Sequence, residues 1–591
     1  VANENPYTQT KITERSRLEY LRAQLLNERS TFKPHWQDLN DYILPRRGRF
    51  FVSDVNKGDR RNLKIIDSTA TLAARTLRAG MVGGITSPAR PWFRLTTPDP
   101  DLNEQGDVKA WLDIVTQRMR TVFLRSNLYN TLPILYGDMG VFGTGAFMVE
   151  EDFDTVIRTT PFPIGSYMIA NDFKRRVRVF FREWRMTVRQ LVEEYGEVKD
   201  GIVVGGNLSE TVTKMWNTGE HEVWIDVCHC IKANPKYDPK KLESKFKRFM
   251  SVTYEKGSPD AKNSIHFNPK DDIFLREKGY DEFPALCGRW EVTGEDVYAT
   301  DCPGMTALGD IKQLQLGEKR SMQAMEKSIS PPVVGPSSLK SVRTSLLPGE
   351  MNYTDEREGS KGFRAVYEVK PKIQEWEGKQ TQVRQRVSRT FYEDLFLMLI
   401  ETDRRQITAT EIAERKEEKL LALGPVLEQL NQDILDPLID ITFAIMARQG
   451  VIPPPPESLS NKELKVEYIS IMAQAQKLIG VATIERFAGF VGNIAQQTGD
   501  PADMDKVDID QMIDEYGDGT SVPTSIIRSD EEVEKRREKR AKLIAAQQQM
   551  EAIKTGAAAA KDLGEAKIGE DDTALKRLID QSQAGQIVEG A

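Results

Sequence analysis

Apolar positions along this 591-residue chain change their spacing twice. Up to about residue 140 they recur every three or four positions. Leu18, Leu21, Leu25 and Leu26 share one helical face over 12–44, and Trp36, Leu39 and Tyr42 continue it after a break expected at Pro34. An Ala- and Leu-rich run from Ser68 to Gly83-Gly84 and a run over 107–140 read as further helices. The second ends in a glycine ladder, Gly137, Gly140, Gly143 and Gly145. From 144 to 300 the period drops to two. GAFMVEE, TVIRTTPF, RRVRVFFREW, EVWIDVCHCI and KRFMSVTYE alternate or run apolar between turn signals, which predicts an antiparallel sheet. The expected class is α+β and multidomain.

After 300 the helical period returns. A turn on Asp301, Pro303 and Gly304 opens a helix over 305–329 with Met305, Leu308, Ile311, Met322, Met325 and Ile329 along one side, closed by Pro331-Pro332. A polar insert with Gly and Pro punctuation follows. A second helix over 373–400 buries Ile373, Trp376, Val383, Val387, Phe391 and Leu395, and its other side carries Lys379, Gln382, Arg386, Arg389 and Glu393. A short polar loop, 401–407, leads to a capping-box pattern at Thr408 and Glu411 and a third long helix to Gln449, with kinks expected at Gly424-Pro425 and Asp436-Pro437. Pro453 to Pro456 form a stiff linker, and 462–516 read as a small set of helices. No aromatic residue follows Tyr516, and 531–554 is a helical pattern with little apolar surface, opened by a box at Ser529 and Glu532.

Composition narrows the class. Charged residues are 29%, the net charge is −7 and there are four cysteines, values of an ordinary soluble protein in a reducing interior without a disulfide framework. The polar start VANENPYTQTKITERS lacks an apolar signal core, and no stretch approaches the length of apolar run that spans a bilayer. A cytoplasmic, soluble protein is expected.

Catalytic chemistry finds little support. Gly378-Lys379 is followed by Gln380 and has Ile373 where a phosphate loop needs its first glycine, so no nucleotide motor is encoded. The glycine ladder, at a helix-to-strand junction, fits close packing better than phosphate binding. Cys228-His229-Cys230 has two cysteines at i and i+2 on one strand face, which suits packing better than zinc. His35, His221 and His266 are scattered singly. Pro98-Asp99 with Asp107-Val108-Lys109 has the letters of a nuclease motif, but the spacing is too short for a strand pair and 107–109 opens a helix. No catalytic site, metal or cofactor is expected.

Basic and polar segments are read by position. Lys174, Arg175, Arg176 and Arg178 sit in a strand pattern, where a solvated face or cross-strand pairs account for them. Arg404 and Arg405 occupy the tip of the loop between two long helices. Lys340, Arg343, Glu356 and Arg357 lie in a segment too short for its own core, a composition suited to partner contact.

Four segments in order, GMVGGITSPARPWFRLTTPD (80–99), YGDMGVFGTGAFMVEE (136–151), YATDCPGMTALGDIKQL (298–314) and SISPP (328–332), make the chain resemble the portal, or head-to-tail connecting, proteins of short-tailed double-stranded DNA phages over roughly 12–450. Cys302 stands where a glycine or another small polar residue is expected before Pro-Gly. The resemblance implies a dodecameric ring at one capsid vertex. It implies a wing (1–297), two stem helices (298–332 and 373–400), a clip (333–372) and a tunnel loop (401–408) with Thr402, Arg404, Arg405 and Gln406. It further implies a long wing helix with the Pro-rich linker (409–456), a crown (457–526) and a C-terminal barrel or tail (527–591). The implied partners are other copies of the chain, double-stranded DNA held without sequence preference, the terminase large subunit, tail adaptor and other tail proteins, and the major capsid and scaffolding or internal core proteins. Assembly in the host cytoplasm and residence at the virion portal vertex follow. A different ring-forming capsid or tail adaptor is the alternative, with a nucleic-acid-processing enzyme as a third reading.

Overall fold

The computed structural model describes residues 14–53, 58–99, 102, 105–200, 202–256, 274–335, 364–365, 373–401, 423–459, 464–469, 484, 487–491, 493–494, 507–519 and 530–565. The chain divides into two units, one of residues 1–96, 112–454 and 465–480, the other of 97–111, 455–464 and 481–591. The mixed helical and strand content expected from the two periods is present.

The first unit begins with α1 (Glu14–Tyr42), which runs through Pro34 without the expected break. Packing on either side of the proline holds it: Phe32 stacks on Trp36 at 5.5 Å, and both rings meet Tyr298. Next comes α2 (Thr69–Ile85), then β1 (Phe93–Thr96). The single helix expected over 107–140 is two, α3 (Gly106–Arg125) and α4 (Leu128–Phe142). Asn127 marks the joint: its amide donates to the Thr159 carbonyl at 2.7 Å and its side-chain oxygen accepts from the Thr159 N–H at 2.8 Å. A polar side chain here satisfies a strand edge that a helix would leave open.

The strands follow as β2 (Thr144–Asp152), β3 (Val156–Phe162), β4 (Tyr167–Asn171) and β5 (Val177–Thr187). After α5 (Val188–Tyr195) come the hairpin β6 (Gly196–Lys199) and β7 (Ile202–Gly206), then α6 (Glu210–Asn217). β8 (Trp224–Ala233), β9 (Phe249–Glu255), β10 (Arg276–Tyr280) and β11 (Ala285–Arg289) complete the region. The antiparallel sheets have strand orders β10-β9-β8-β5-β4 and β11-β2-β3. One face of the five-stranded sheet receives Leu18 and Leu25 of α1 against Met168, Phe181, Cys228, Cys230 and Val252. Burial in that layer pushes the Cys230 thiol up to about 12 and raises Cys228 as well, so both act as small apolar side chains, as their spacing suggested.

Lys174, Arg175 and Arg176 are not in a strand. They form the tight turn between β4 and β5, because the Asp172 carboxylate accepts from the backbone N–H groups of Lys174 and Arg176 and curls the chain. Arg178 does lie in β5, over the rings of Phe249 and Phe283.

Three long helical segments lead out of and back into the core. α7 (Pro303–Ile329) is continuous. The short strands β12 (Val333–Val334) and β13 (Arg364–Ala365) pair with each other. The helix expected over 373–400 is broken into α8 (Ile373–Thr390) and α9 (Glu393–Glu401), with Tyr392 at φ 55° between them. The aromatic pair drives the break. Phe391 is buried and Tyr392 faces Trp290 at 6.4 Å, an arrangement that continuous helical phasing does not give. Then come α10 (423–430), a π turn over Asn431–Leu435 and α11 (Asp436–Arg448). Pro437 lacks the N–H its position needs, and the ladder widens to the π turn just ahead of it. Gly424-Pro425 borders 402–422, which lie outside the described residues. Lys465–Tyr468 is a strand, β14, and not the helix expected from 462 on, because it pairs with β1 in the register Phe93 to Tyr468. In the second unit, α12 (Ile509–Gly519) and α13 (Asp530–Glu565) are linked by the Arg537–Asp510 ion pair at 2.5 and 2.7 Å.

Candidate functional site

The helix pair α7/α8 is built from the core outward. Extended backbone at Cys302 and Pro303 in the first turn start α7, and Asp301 accepts from the Cys302 N–H at 2.7 Å and the Thr306 hydroxyl at 2.9 Å. The Cys302 thiol, which burial pushes up to about 12, donates to the Val141 carbonyl at 3.3 Å, so the departure at this position is absorbed in packing. Gly304 lies so close to α4 that a Cβ there would stand 2.3 Å from the Val141 carbonyl oxygen. Gly140 similarly makes room for Leu77, and Gly80 for Phe396, at 2.1 Å in each case. Gly143 takes φ 83°, and its carbonyl accepts from the Trp290 N–H. The glycine ladder is a packing device.

α8 returns antiparallel to α7. Arg386 donates to both oxygens of Asp310, at 3.0 and 2.7 Å. Arg384 bonds Asp67 at 2.9 Å and also Glu318. Burial favours a neutral Asp67, but bonds from Thr69 and Arg384 prevail and hold its pKa below the usual range; hydrogen bonding from Arg386 does the same for Asp310. The buried Gln315 accepts from the Ile66 and Asp67 N–H groups at 2.6 and 2.8 Å and donates to the Asp67 carbonyl at 2.7 Å. The segment leading into α2 is thereby clamped to α7.

Burial falls along the pair. Leu308, Ile311, Val383 and Val387 are buried, whereas Trp376 is 41% exposed, Met322 56% and Ile329 83%. The inner half packs on the core; the outer half leaves its apolar stripe uncovered within the subunit. Lys379, Gln382, Arg386 and Arg389 are exposed on α8, as their spacing required. Glu393 is half-buried and lies past the Tyr392 break, so it does not continue their row. Arg386 is ion-paired, whereas Lys379 and Arg389 make no ion pair among the described residues. Thr402, Arg404, Arg405 and Gln406, and Lys340, Arg343, Glu356 and Arg357, lie outside the described residues. Asp67, Asp310, Gln315 and Arg384, the polar residues that fix the pair, were not legible in the sequence. Asp67 and Arg384 are far apart along the chain, and Arg384 stands one helical step off the exposed row.

The pair thus joins a continuous helix and a returning helix of mixed charge, packed at their inner ends on an α+β core. The chain belongs to the bacteriophage head to tail connecting protein family, whose model matches residues 15–527. It is 46% identical over 574 residues to the portal protein of Salmonella phage epsilon15, covering 97% of this chain and 99% of that one. It is 40% identical over 567 residues to the probable portal protein of Bordetella phage BPP-1, covering 96% and 97%. Among the described residues no helix is long and apolar enough to cross a membrane.

Proposed function

We propose that this chain is the portal subunit of its phage, that twelve copies close into a ring at one capsid vertex, and that double-stranded DNA enters and leaves the head through the hole. Membership of the head-to-tail connecting family and the extent of similarity to two portal proteins support the reading. The observation that carries it is the α7/α8 pair. Its outer apolar stripe is too exposed for a lone subunit and suits an adjacent copy, while the exposed row Lys379, Gln382, Arg386 and Arg389, in which Arg386 is paired with Asp310, is turned to solvent where it can face a polyanion. In this reading 1–297 is the wing, 298–332 and 373–400 the stem, 333–372 the clip, 401–408 the tunnel loop, 409–456 the long wing helix with its linker, 457–526 the crown and 527–591 the tail.

The role is structural and not catalytic: a separate terminase drives the DNA, docks on the clip through residues such as Lys340, Arg343, Glu356 and Arg357, and gives way to the tail proteins. Contacts to DNA are to the phosphate backbone and carry no sequence preference. End-on class averages of the purified chain test the ring. A closed ring with a central hole and a mass twelve times 67.0 kDa is expected; a monomer across a wide concentration range overturns it. Deleting 339–362 is expected to keep the ring and abolish terminase capture, and unchanged capture removes the clip assignment.

A further inference from the structure

The turn between β4 and β5 is a rigid projection. Asp172 fixes it from within through its bonds to the N–H groups of Lys174 and Arg176, and the Asp172 N–H donates to the Arg176 carbonyl at 2.8 Å. Arg289 fixes it from below. Its guanidinium forks onto Asp433 at 2.9 and 2.8 Å and donates to the Arg175 carbonyl at 3.1 Å. Arg175 adopts φ 60°, a conformation that favours glycine or asparagine, yet an arginine occupies it. The side chains all point outward: Phe173 is 91% exposed, and Lys174, Arg175 and Arg176 are exposed with no ion pair among the described residues. A phenyl ring with the Lys174 ammonium 5.6 Å from its centre and two further exposed cations next in the chain, on a pre-organised turn, has the form of an interface anchor.

The same unit carries a surface of opposite character. The hairpin β6/β7 exposes Ile202 (57%) and Val204 (64%) together with Val198, and neither of its edges is paired in a larger sheet. Its inner face packs through Val203 on the cluster of Val188, Leu191, Val192 and Val212, while the outer face with Ile202 and Val204 is left uncovered. Glu193, Glu197 and Asp200 are exposed on and beside it, with Lys199 on the hairpin and Arg276 nearby on Glu194, and none of the three makes an ion pair among the described residues. The two surfaces lie off opposite ends of β5: the turn runs into Val177, and the hairpin follows α5, which starts directly after Thr187. Two complementary surfaces at opposite ends of one body are what a head-to-tail contact in a closed ring needs.

We infer that the Phe173 turn of one copy docks on the β6/β7 hairpin of the next, its phenyl ring on Ile202 and Val204 and its cations against Glu193, Glu197 and Asp200. A nucleic-acid partner is the weaker fit, since a phosphate backbone engages the cations and leaves the phenyl ring in water. The inference rests on the ring reading above.

The test uses the full chain. In Phe173→Cys/Ile202→Cys the two thiols of one subunit lie off opposite ends of β5, whose 11 residues span roughly 35 Å at about 3.3 Å per residue, beyond disulfide reach. The four native cysteines are buried. Mild oxidation is therefore expected to give a ladder of covalent multimers from the double variant and none from either single variant. Independently, Lys174→Glu/Arg176→Glu is expected to raise the concentration for half-assembly about tenfold at low salt, which corresponds to about 1.4 kcal/mol, and adding Glu193→Lys/Glu197→Lys to restore it. Circular dichroism checks that each variant folds. Rings that form normally with neither ladder nor charge rescue overturn this contact alone. A parent chain that remains monomeric overturns the ring and this contact together. Binding of a short duplex lost with the turn charges, in rings without a ladder, assigns the turn to nucleic acid and overturns the inference.

Discussion

Arg386 and Asp310 form a two-pronged ion pair between the returning and outgoing helices, with both bonds at 3.0 Å or less. One of the three cations on the exposed row of α8 is therefore already matched within its own subunit. If that row faces DNA, Lys379 and Arg389 bear the interaction. Arg386→Ala is expected to hold full-head yield within about twofold of the parent, and Lys379→Ala/Arg389→Ala to lower it more, by an amount that grows as salt is reduced. Equal losses for the two variants would show that Arg386 is released from Asp310 when DNA is present.

Arg404 and Arg405 are expected to act at the narrowest part of the hole. Arg404→Ala/Arg405→Ala should leave ring formation unchanged while packaged DNA is retained less well. Normal retention of a full genome removes both from the DNA path, and loss of rings makes the loop structural.

The close approaches at glycine give the sharpest stability prediction. Gly140→Ala must displace Leu77 and is expected to cost about 1–3 kcal/mol. Gly304→Ala is expected to cost more, because the obstructing atom is the Val141 carbonyl oxygen and not the end of a side chain. Calorimetric melting temperatures of the two variants check the order.

His229 supplies a pH dependence. It is buried, its Nε2 lies 2.8 Å from the Ser251 hydroxyl, and its Nδ1 accepts from Arg182 at 3.1 Å, an arrangement that requires the neutral ring. Burial, then the charges of Arg182 and Arg276, hold its pKa well below 6.5. The unfolded chain takes up a proton as pH falls through 6.5 and the folded chain does not, so stability drops from that point down to the folded pKa. The limiting slope is about 1.4 kcal/mol per pH unit. Urea midpoints between pH 7.5 and 5 should fall more steeply for the parent than for His229→Gln; equal slopes would place the acid sensitivity elsewhere.

A chain ending at Ser529 is expected to close into rings. α13 exposes Leu543, Ile544 and Met550, and an exposed ion pair, Arg537–Asp510, ties it to α12. Failure of the truncated chain to assemble would make this helix part of the subunit interface.

The elements that follow from one period were legible in the sequence. The sheet over 144–300, the continuous α7 and the exposed row on α8 all come from local spacing, which backbone geometry enforces. Most of the features that were not legible depend on partners distant in the chain. Pro34 sits in an unbroken helix because Phe32, Trp36 and Tyr298 pack around it. Residues 465–468 form a strand because β1 offers an edge. Lys174 to Arg176 leave their strand because Asp172 binds the backbone ahead of it. The last of these had a local signal, an acidic residue two and four positions before the N–H groups it binds, masked by the run of positive charge.

The Tyr392 break has a mechanical consequence. α7 is an unbroken rod of 27 residues, about 40 Å long, whose hydrogen-bond ladder resists bending along its whole length. Its neighbour is two shorter rods joined at a residue where that ladder lapses. A load on α8 is therefore passed to α7 through the Arg384 and Arg386 ion pairs that hold the two together, while α9 stays seated by Phe396 in the notch at Gly80. The returning arm is splinted along the continuous one.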